Sequence, residues 1–215
     1  MLQKQTVEEA IFQLLERLQA EPLLSSTRLV GGTSLALQIA HRISTDIDLF
    51  TTEPFDFDEV FNLLSVQFGL TPTRTSPNTI IGFIDNIKVD VIYHPFAWID
   101  APVIEDSIRL ASIKDITAMK IHAITNSGQR PKDFVDIAFL SNYFSYNTMK
   151  EFALEKYPAY NPIMFDKAIN YFEDIDTDAM ANIKMVGRKF NWIPIEKRLI
   201  QMTSRPDSLF QKSPL

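Results

Sequence analysis

Apolar positions recur first at helical spacing: Val7, Ile11, Leu14, Leu15 and Leu18 form one stripe that Pro22 ends. Thr6 followed by Glu9 has the spacing of a capping box at its start. Residues 28–30 then form a short extended run into Gly31-Gly32, and residues 33–40 read as a brief helix opening at that glycine turn. Over residues 45–50 the period changes to two, with Ile47 and Leu49 on one strand face and Asp46 and Asp48 together on the other. A second helical stripe through Val60, Phe61, Leu64 and Phe68 ends at Gly69. Residues 79–84 and 87–94 form a β-hairpin joined by Asp85-Asn86, and in its second strand Lys88, Asp90 and Ile92 share a face.

From residue 104 onward the pattern reads as helical, over 112–125 and 131–144 and then in shorter helices after Thr148, Asn161 and Pro194. Ser112, Thr148 and Asn161 suit N-cap positions, and Pro131, Pro162 and Pro194 suit the first helical position. The expectation is an α/β (α+β) half over residues 1–103, a mixed sheet flanked by helices, followed by a helical half over residues 104–215.

Composition narrows the class. At 215 residues with 46% hydrophobic and 22% charged positions, the chain can bury a core and is neither fibrous nor disordered. It has no cysteine, which excludes disulfides and thiolate metal sites, and its three histidines show no zinc spacing. A net charge of −6 makes a general nucleic-acid coat unsuitable and confines any such contact to a local patch. The first twenty residues have neither the pattern of a signal peptide nor that of a membrane span, so the expected location is cytoplasmic, with no membrane partner.

Chemistry concentrates in LVGGTSLALQIAHRISTDIDLF. Backbone N–H groups at a glycine turn and helix N-terminus receive phosphate oxygens, and two carboxylates on one strand face suit a hard divalent cation. Asp90, on a neighbouring acidic strand, is the candidate third carboxylate of a two-metal phosphoryl-transfer arrangement. Each feature alone is also what a solvated strand end would show; their order along the chain favours a site. Arg42 is expected either to bind phosphate or, preferably, to brace Asp46 and Asp48, and His41 to be a structural hydrogen-bonding group.

GGTSLAL, His41-Arg42-x-Ser44 and Asp46-Ile-Asp48-Leu-Phe50, then KVDVI with Asp90, Asp115-Ile-Thr-Ala-Met-Lys120 and Lys132-Asp133-Phe-Val-Asp136, resemble the motifs of the AbiEii/AbiGii toxin family, within the polymerase-β-like nucleotidyltransferase superfamily. With Tyr171 to Asp174 and Trp192, the resemblance covers residues 27 to 200. It implies the nucleotidyltransferase fold, Mg²⁺ or Mn²⁺ as cofactor, and transfer of an NMP from an NTP to an acceptor, the tRNA acceptor end being a target class of toxin members. It further implies a toxin–antitoxin (abortive infection) role with a cognate antitoxin as partner, and a helical half that completes the active-site cleft.

Carried over residue by residue, the resemblance makes Asp46 and Asp48 metal ligands, Asp90 a third ligand or the base, and Gly31, Gly32 and Thr33 the triphosphate cradle. Lys120 would meet the phosphates, with an interhelical ion pair as its structural alternative, and Asp133 would be the functional member of the KDxxD pair, with Asp136 as the alternative. Where the superfamily often has Gly-Ser, this chain has Gly31-Gly32-Thr33, so a hydroxyl contact falls to Thr33 or Ser34. Where the family often has Arg-Gly, it has Ser127-Gly128, with Arg130 and Lys132 nearby. Residues 183–205 hold Lys184, Arg188, Lys189, Lys197, Arg198 and Arg205 against Glu196, interleaved with Phe190 and Trp192. They are read either as an RNA-backbone patch for tRNA or as ordinary surface charge and core aromatics. Two competing functions stand beside nucleotidyl transfer: a non-catalytic nucleotide- or partner-binding module on the same fold, and γ-phosphoryl transfer to a protein.

Overall fold

The computed structural model describes all 215 residues. They fall into two units, residues 1–40 with 44–112, and residues 41–43 with 113–215.

The first unit is built on β1 (Arg28–Leu29), β2 (Ile47–Thr51), β3 (Thr71–Ser76), β4 (Thr79–Ile84), β5 (Ile87–Tyr93), β6 (Val103–Glu105) and β7 (Ile108–Leu110). They form one mixed sheet in the order β3-β4-β5-β2-β1-β7-β6, in which β5–β2 and β1–β7 are parallel and the other neighbours antiparallel. Three helices accompany it: α1 (Glu9–Ala20), α2 (Gly31–Ile39) and α3 (Phe57–Asn62), the last running on into a π-helical turn over residues 63–67. Leu29, Ile47, Leu49, Ile80, Val89 and Val91 join Leu14, Leu15 and Leu18 of α1 and Val60 of α3 in one buried cluster. Each such side chain contributes roughly 1.5–3 kcal/mol on burial. A one-residue slip of β2 or β5 would turn Asp48 or Asp90 into that cluster, so the core itself fixes the register on which the site depends.

Several expectations change here. Thr6 caps nothing: its hydroxyl donates to the Gln3 carbonyl at 2.7 Å, and α1 starts after Glu8 without a side-chain cap. Strand β3 was not legible, because TPTRTS is a sheet edge exposed at every residue and has no apolar face to betray it. Residues 104–110, expected to open the helical half, instead belong to the β6–β7 hairpin at the other edge. Its turn, Asp106-Ser107, has φ of 51° and 63°, matching the 49° and 64° of Asp85-Asn86 in the expected β4–β5 hairpin. Two consecutive positive φ values are the type I′ geometry that suits strand twist. Gln19 of α1 holds β7 like an extra strand partner, accepting from the Arg109 N–H at 2.7 Å and donating to its carbonyl at 3.0 Å.

The second unit is helical: α4 (Ile113–Asn126), α5 (Pro131–Leu140), α6 (Tyr146–Lys156), α7 (Pro162–Ala168), α8 (Thr177–Met180) and α9 (Trp192–Ser204). Pro131 and Pro162 occupy first helical positions and Asn161 caps α7, as the sequence suggests. Thr148 does not cap α6; Ser145 does, accepting from the Thr148 N–H, and α9 begins at Trp192 behind the cap Asn191, two residues before Pro194. Across α4 and α6 the fully buried Lys156 donates to Asp115 at 2.9 Å. No helix is long and apolar enough to cross a membrane.

Ser107 is exposed and carries a left-handed backbone that a Cβ disfavours. Ser107→Gly is expected to raise unfolding free energy by ~0.5–1 kcal/mol in urea, and Ser107→Val to lower it; a destabilised glycine variant would contradict the turn assignment.

Candidate active site

Strands β2 and β5 run parallel with Asp48 directly opposite Asp90. Neighbouring strands lie ~4.8 Å apart, so the register sets two carboxylates side by side on the face opposite the core. Asp90 is buried, and Lys88 on the same strand face donates to both of its oxygens at 2.7 Å. Asp46 stands just before β2, half-buried, its carboxylate 3.4 Å from the Thr45 hydroxyl.

Gly31 opens α2 with φ +69°, and a Cβ placed there would fall on Asp48 Oδ2. Only glycine allows both the left-handed backbone and the close approach of the carboxylate to the helix N-terminus. The Val30 N–H donates to the Asp48 carbonyl at 2.9 Å, fixing the glycine turn to the strand. The first N–H groups of a helix lack intrahelical partners and, with the helix dipole, favour anions. Gly31 and Gly32, the expected cradle residues, stand at that helix N-terminus. The neighbouring hydroxyls are engaged within the unit. Thr33 Oγ1 donates to the Asp46 carbonyl and lies 2.9 Å from Ser44 Oγ, while Ser34, fully buried, accepts from Gln38 Nε2 at 3.2 Å. The structure thus gives Thr33 and Ser34 the role of holding Asp46 and α2 in place.

The donors suit a hard divalent cation in being oxygen-only, two carboxylates at one level, while the helix N-terminus beside them suits the anion such a cation would bridge. No three carboxylates or histidines converge into a preassembled metal shell. Asp48 and Asp90 can supply part of one, leaving room for phosphate oxygens.

In the second unit Asp136 is the hub of a buried ion network. Arg42 grips it with a planar fork, Nε to Oδ1 at 2.7 Å and Nη2 to Oδ2 at 3.0 Å, while His41 Nε2 lies 2.7 Å from Oδ1 and Lys120 Nζ 2.8 Å from Oδ2. Lys120 also donates to Asp133 at 2.5 Å, and Arg130 pairs with the other Asp133 oxygen at 3.0 Å. Arg42, expected to brace Asp46 and Asp48, places its fork on Asp136, 94 residues away. His41 is structural, as expected, and Lys120 forms the interhelical ion pair that was its alternative.

Burial alone would raise the Asp136 pKa, but Arg42, Lys120 and His41 override it and hold the carboxyl well below its ordinary value. Burial pulls against the Lys120 charge too, and Asp133 and Asp136 outweigh it, leaving the ammonium more basic than usual. For His41 burial dominates over the Asp136 bond and lowers its pKa, so the imidazole is neutral with Nε2 donating and Nδ1 buried without a partner.

The basic stretch divides. Lys184, Arg188, Lys189, Lys197 and Arg205 are exposed, but Arg198 is buried, donating to Ser141 Oγ at 2.8 Å and the Lys212 carbonyl at 2.7 Å and stacking on Phe210. Trp192 packs edge-on against Phe134 and Phe172, and its Nε1 donates to Glu196 at 2.9 Å, so it belongs to the packing of the unit.

A family model described as the nucleotidyl transferase AbiEii toxin of type IV toxin–antitoxin systems matches residues 13–72 and 84–207. The chain belongs to the AbiEii nucleotidyltransferase toxin family. Its relatives include an uncharacterized protein of Aquifex aeolicus strain VF5, 27% identical over 178 residues covering 80% of this chain and 86% of that protein. Among solved structures, the nucleotidyltransferase toxin MenT4 of Mycobacterium tuberculosis superposes with a TM-score of 0.59 at 17% identity, covering 92% of this chain and 85% of that one. JHP933 of Helicobacter pylori gives 0.58 at 14% identity, over 94% and 93%. These likenesses establish the nucleotidyltransferase fold. The AbiEii match spans α2, both acidic strands and the Asp136 network; the stretch it passes over, residues 73–83, is most of the exposed β3 and nearly all of β4.

Removing the Asp136 charge strands a buried guanidinium and ammonium, so Asp136→Asn is expected to lose about 3 kcal/mol or more of stability by chemical denaturation. A loss under 1 kcal/mol would contradict the hub.

Folded His41 and His122, both lowered by burial, bind protons less readily than ordinary imidazole at 6.5, so the unfolded chain gains protons first as pH falls. Stability is expected to be full above about pH 7 and to decline below 6.5, with a shallower decline in His41→Gln; an unchanged slope in that variant would place the pH response elsewhere.

Proposed function

We propose that this AbiEii-family protein is a metal-dependent nucleotidyltransferase that moves an NMP from an NTP to an acceptor hydroxyl, at the tRNA acceptor end, as the toxin of a pair with a cognate antitoxin. The observation that carries the reading is the Asp48–Asp90 register with Gly31 pressed against the Asp48 carboxylate. Family membership supports the transfer chemistry and the toxin–antitoxin setting, and the exposed lysines and arginines of residues 183–205 support an RNA acceptor.

The N–H groups of Gly31 and Gly32 receive phosphate oxygens and orient the triphosphate, a task for which the left-handed Gly31 is already set. Asp48 and Asp90, with Asp46 just before β2, would hold Mg²⁺ or Mn²⁺. Such a cation would supply neutralisation of the triphosphate charge that otherwise repels the carboxylates. The acceptor oxygen bonds to the α-phosphorus as the bond to pyrophosphate breaks, and the hydroxyl proton passes to a carboxylate of the acidic strands.

The test is incubation with total tRNA, Mg²⁺ and each α-³²P-labelled NTP. Wild type is expected to label RNA, and Asp48→Asn, folded by circular dichroism, to lose at least ~10³-fold of that rate, the order of one preorganised electrostatic group. Labelling retained by the folded variant would overturn the assignment of the pair, and label on a protein band would replace RNA as the acceptor class.

A further inference from the structure

The ion pair between Lys88 and Asp90 has a geometry that an ordinary surface bridge does not. The ammonium sits 2.7 Å from each carboxylate oxygen, so it takes the bisecting position that a bidentate cation would occupy. The Asp90 side chain is 11% exposed, and that of Lys88 is 38% exposed. The acid is therefore fixed and the base is free to swing outward without opening the core. Asp48 is the register partner of Asp90, so Lys88 lies on the strand face that carries both carboxylates. No third carboxylate or histidine completes a metal shell with Asp48 and Asp90, so the remaining ligands of a bound cation must come from water and from phosphate oxygens.

We infer that Lys88 is the resident counter-cation of the Asp48–Asp90 pair, and that divalent cation and nucleotide enter together, drawing the ammonium off Asp90 and onto the triphosphate. A cation and the Lys88 ammonium compete for the same lone pairs of Asp90, so metal alone binds against Lys88. Nucleotide relieves the competition by giving the ammonium a new anion within reach of its four-carbon stem. The consequence is a site that stays closed to free Mg²⁺ or Mn²⁺ and loads only with substrate. Lys88 acts here through Asp90 as a positioning residue. The inference rests on the metal-dependent reading of the site given above.

The test counts bound Mn²⁺ by electron paramagnetic resonance in the full-length protein, with and without each α,β-methylene NTP. Wild type is compared with Lys88→Gln, Lys88→Arg and Asp90→Asn. Without nucleotide, Lys88→Gln is expected to bind Mn²⁺ on the order of tenfold more tightly than wild type, while Lys88→Arg, which keeps the charge, stays near wild type. The nucleotide that tightens Mn²⁺ binding in wild type is expected to do so far less in Lys88→Gln, because the competitor is already gone. Thermal unfolding supplies a control: Lys88→Gln is expected to melt lower than wild type without Mn²⁺ and to regain the difference with it. Equal Mn²⁺ affinity in wild type and Lys88→Gln, with Asp90→Asn weakening binding, would overturn the role of Lys88 and leave the metal site standing. No saturable Mn²⁺ binding by any of the proteins, with or without nucleotide, would overturn the metal reading itself.

Discussion

Like charges held side by side are the constraint on which the rest of the first unit turns. The parallel pairing of β2 and β5 fixes Asp48 opposite Asp90, and the apolar residues alternating with them, Ile47, Leu49, Val89 and Val91, are fully buried, so the strands cannot slip to separate the carboxylates. Core packing therefore enforces a repulsion that only a positive partner relieves. Lys88 provides one such partner, and the N-terminus of α2, brought against Asp48 by the bare Cα of Gly31, provides a second. The proposed function gives this juxtaposition a use, since an added cation would relieve the same repulsion.

The second unit solves the opposite problem. Its acid, Asp136, is buried beyond the reach of water and is satisfied within the unit by Arg42, His41 and Lys120. Such a network is costly to break and not always stabilising to form, so its value lies as much in fixing one arrangement as in net free energy. Here it pins residues 41–43 to α4 and α5, reinforced by the Ile43 N–H donating to the Lys184 carbonyl at 2.8 Å. Residues 41–43 are thus fixed within the second unit.

What was legible in the sequence was what local chemistry dictates. The alternation at residues 45–50, the Asp85-Asn86 turn, Pro131 and the Asn161-Pro162 start each carry their geometry in one or two residues, and each stands in the structure. Strand β3 was hidden because an edge exposed on both faces needs no apolar alternation, and the β6–β7 hairpin because three-residue strands are too short to show a period. The partner of Arg42 was invisible for another reason: a guanidinium suits any carboxylate, and only the tertiary fold selects Asp136 over Asp46 and Asp48. Lys88 was seen to share a face with Asp90, but a lysine on a strand gives no sign that it will chelate its neighbour.

In the proposed reaction Asp48 and Asp90 together form a cation site completed by nucleotide. Anomalous scattering at the manganese edge, from crystals grown with Mn²⁺ and an α,β-methylene NTP, tests it most directly. The account requires an anomalous peak within coordination distance of a carboxylate oxygen from each of Asp48 and Asp90, with Lys88 withdrawn from Asp90. A bound nucleotide whose metal lies away from both carboxylates, or a Lys88 still seated on Asp90 beside it, would contradict it.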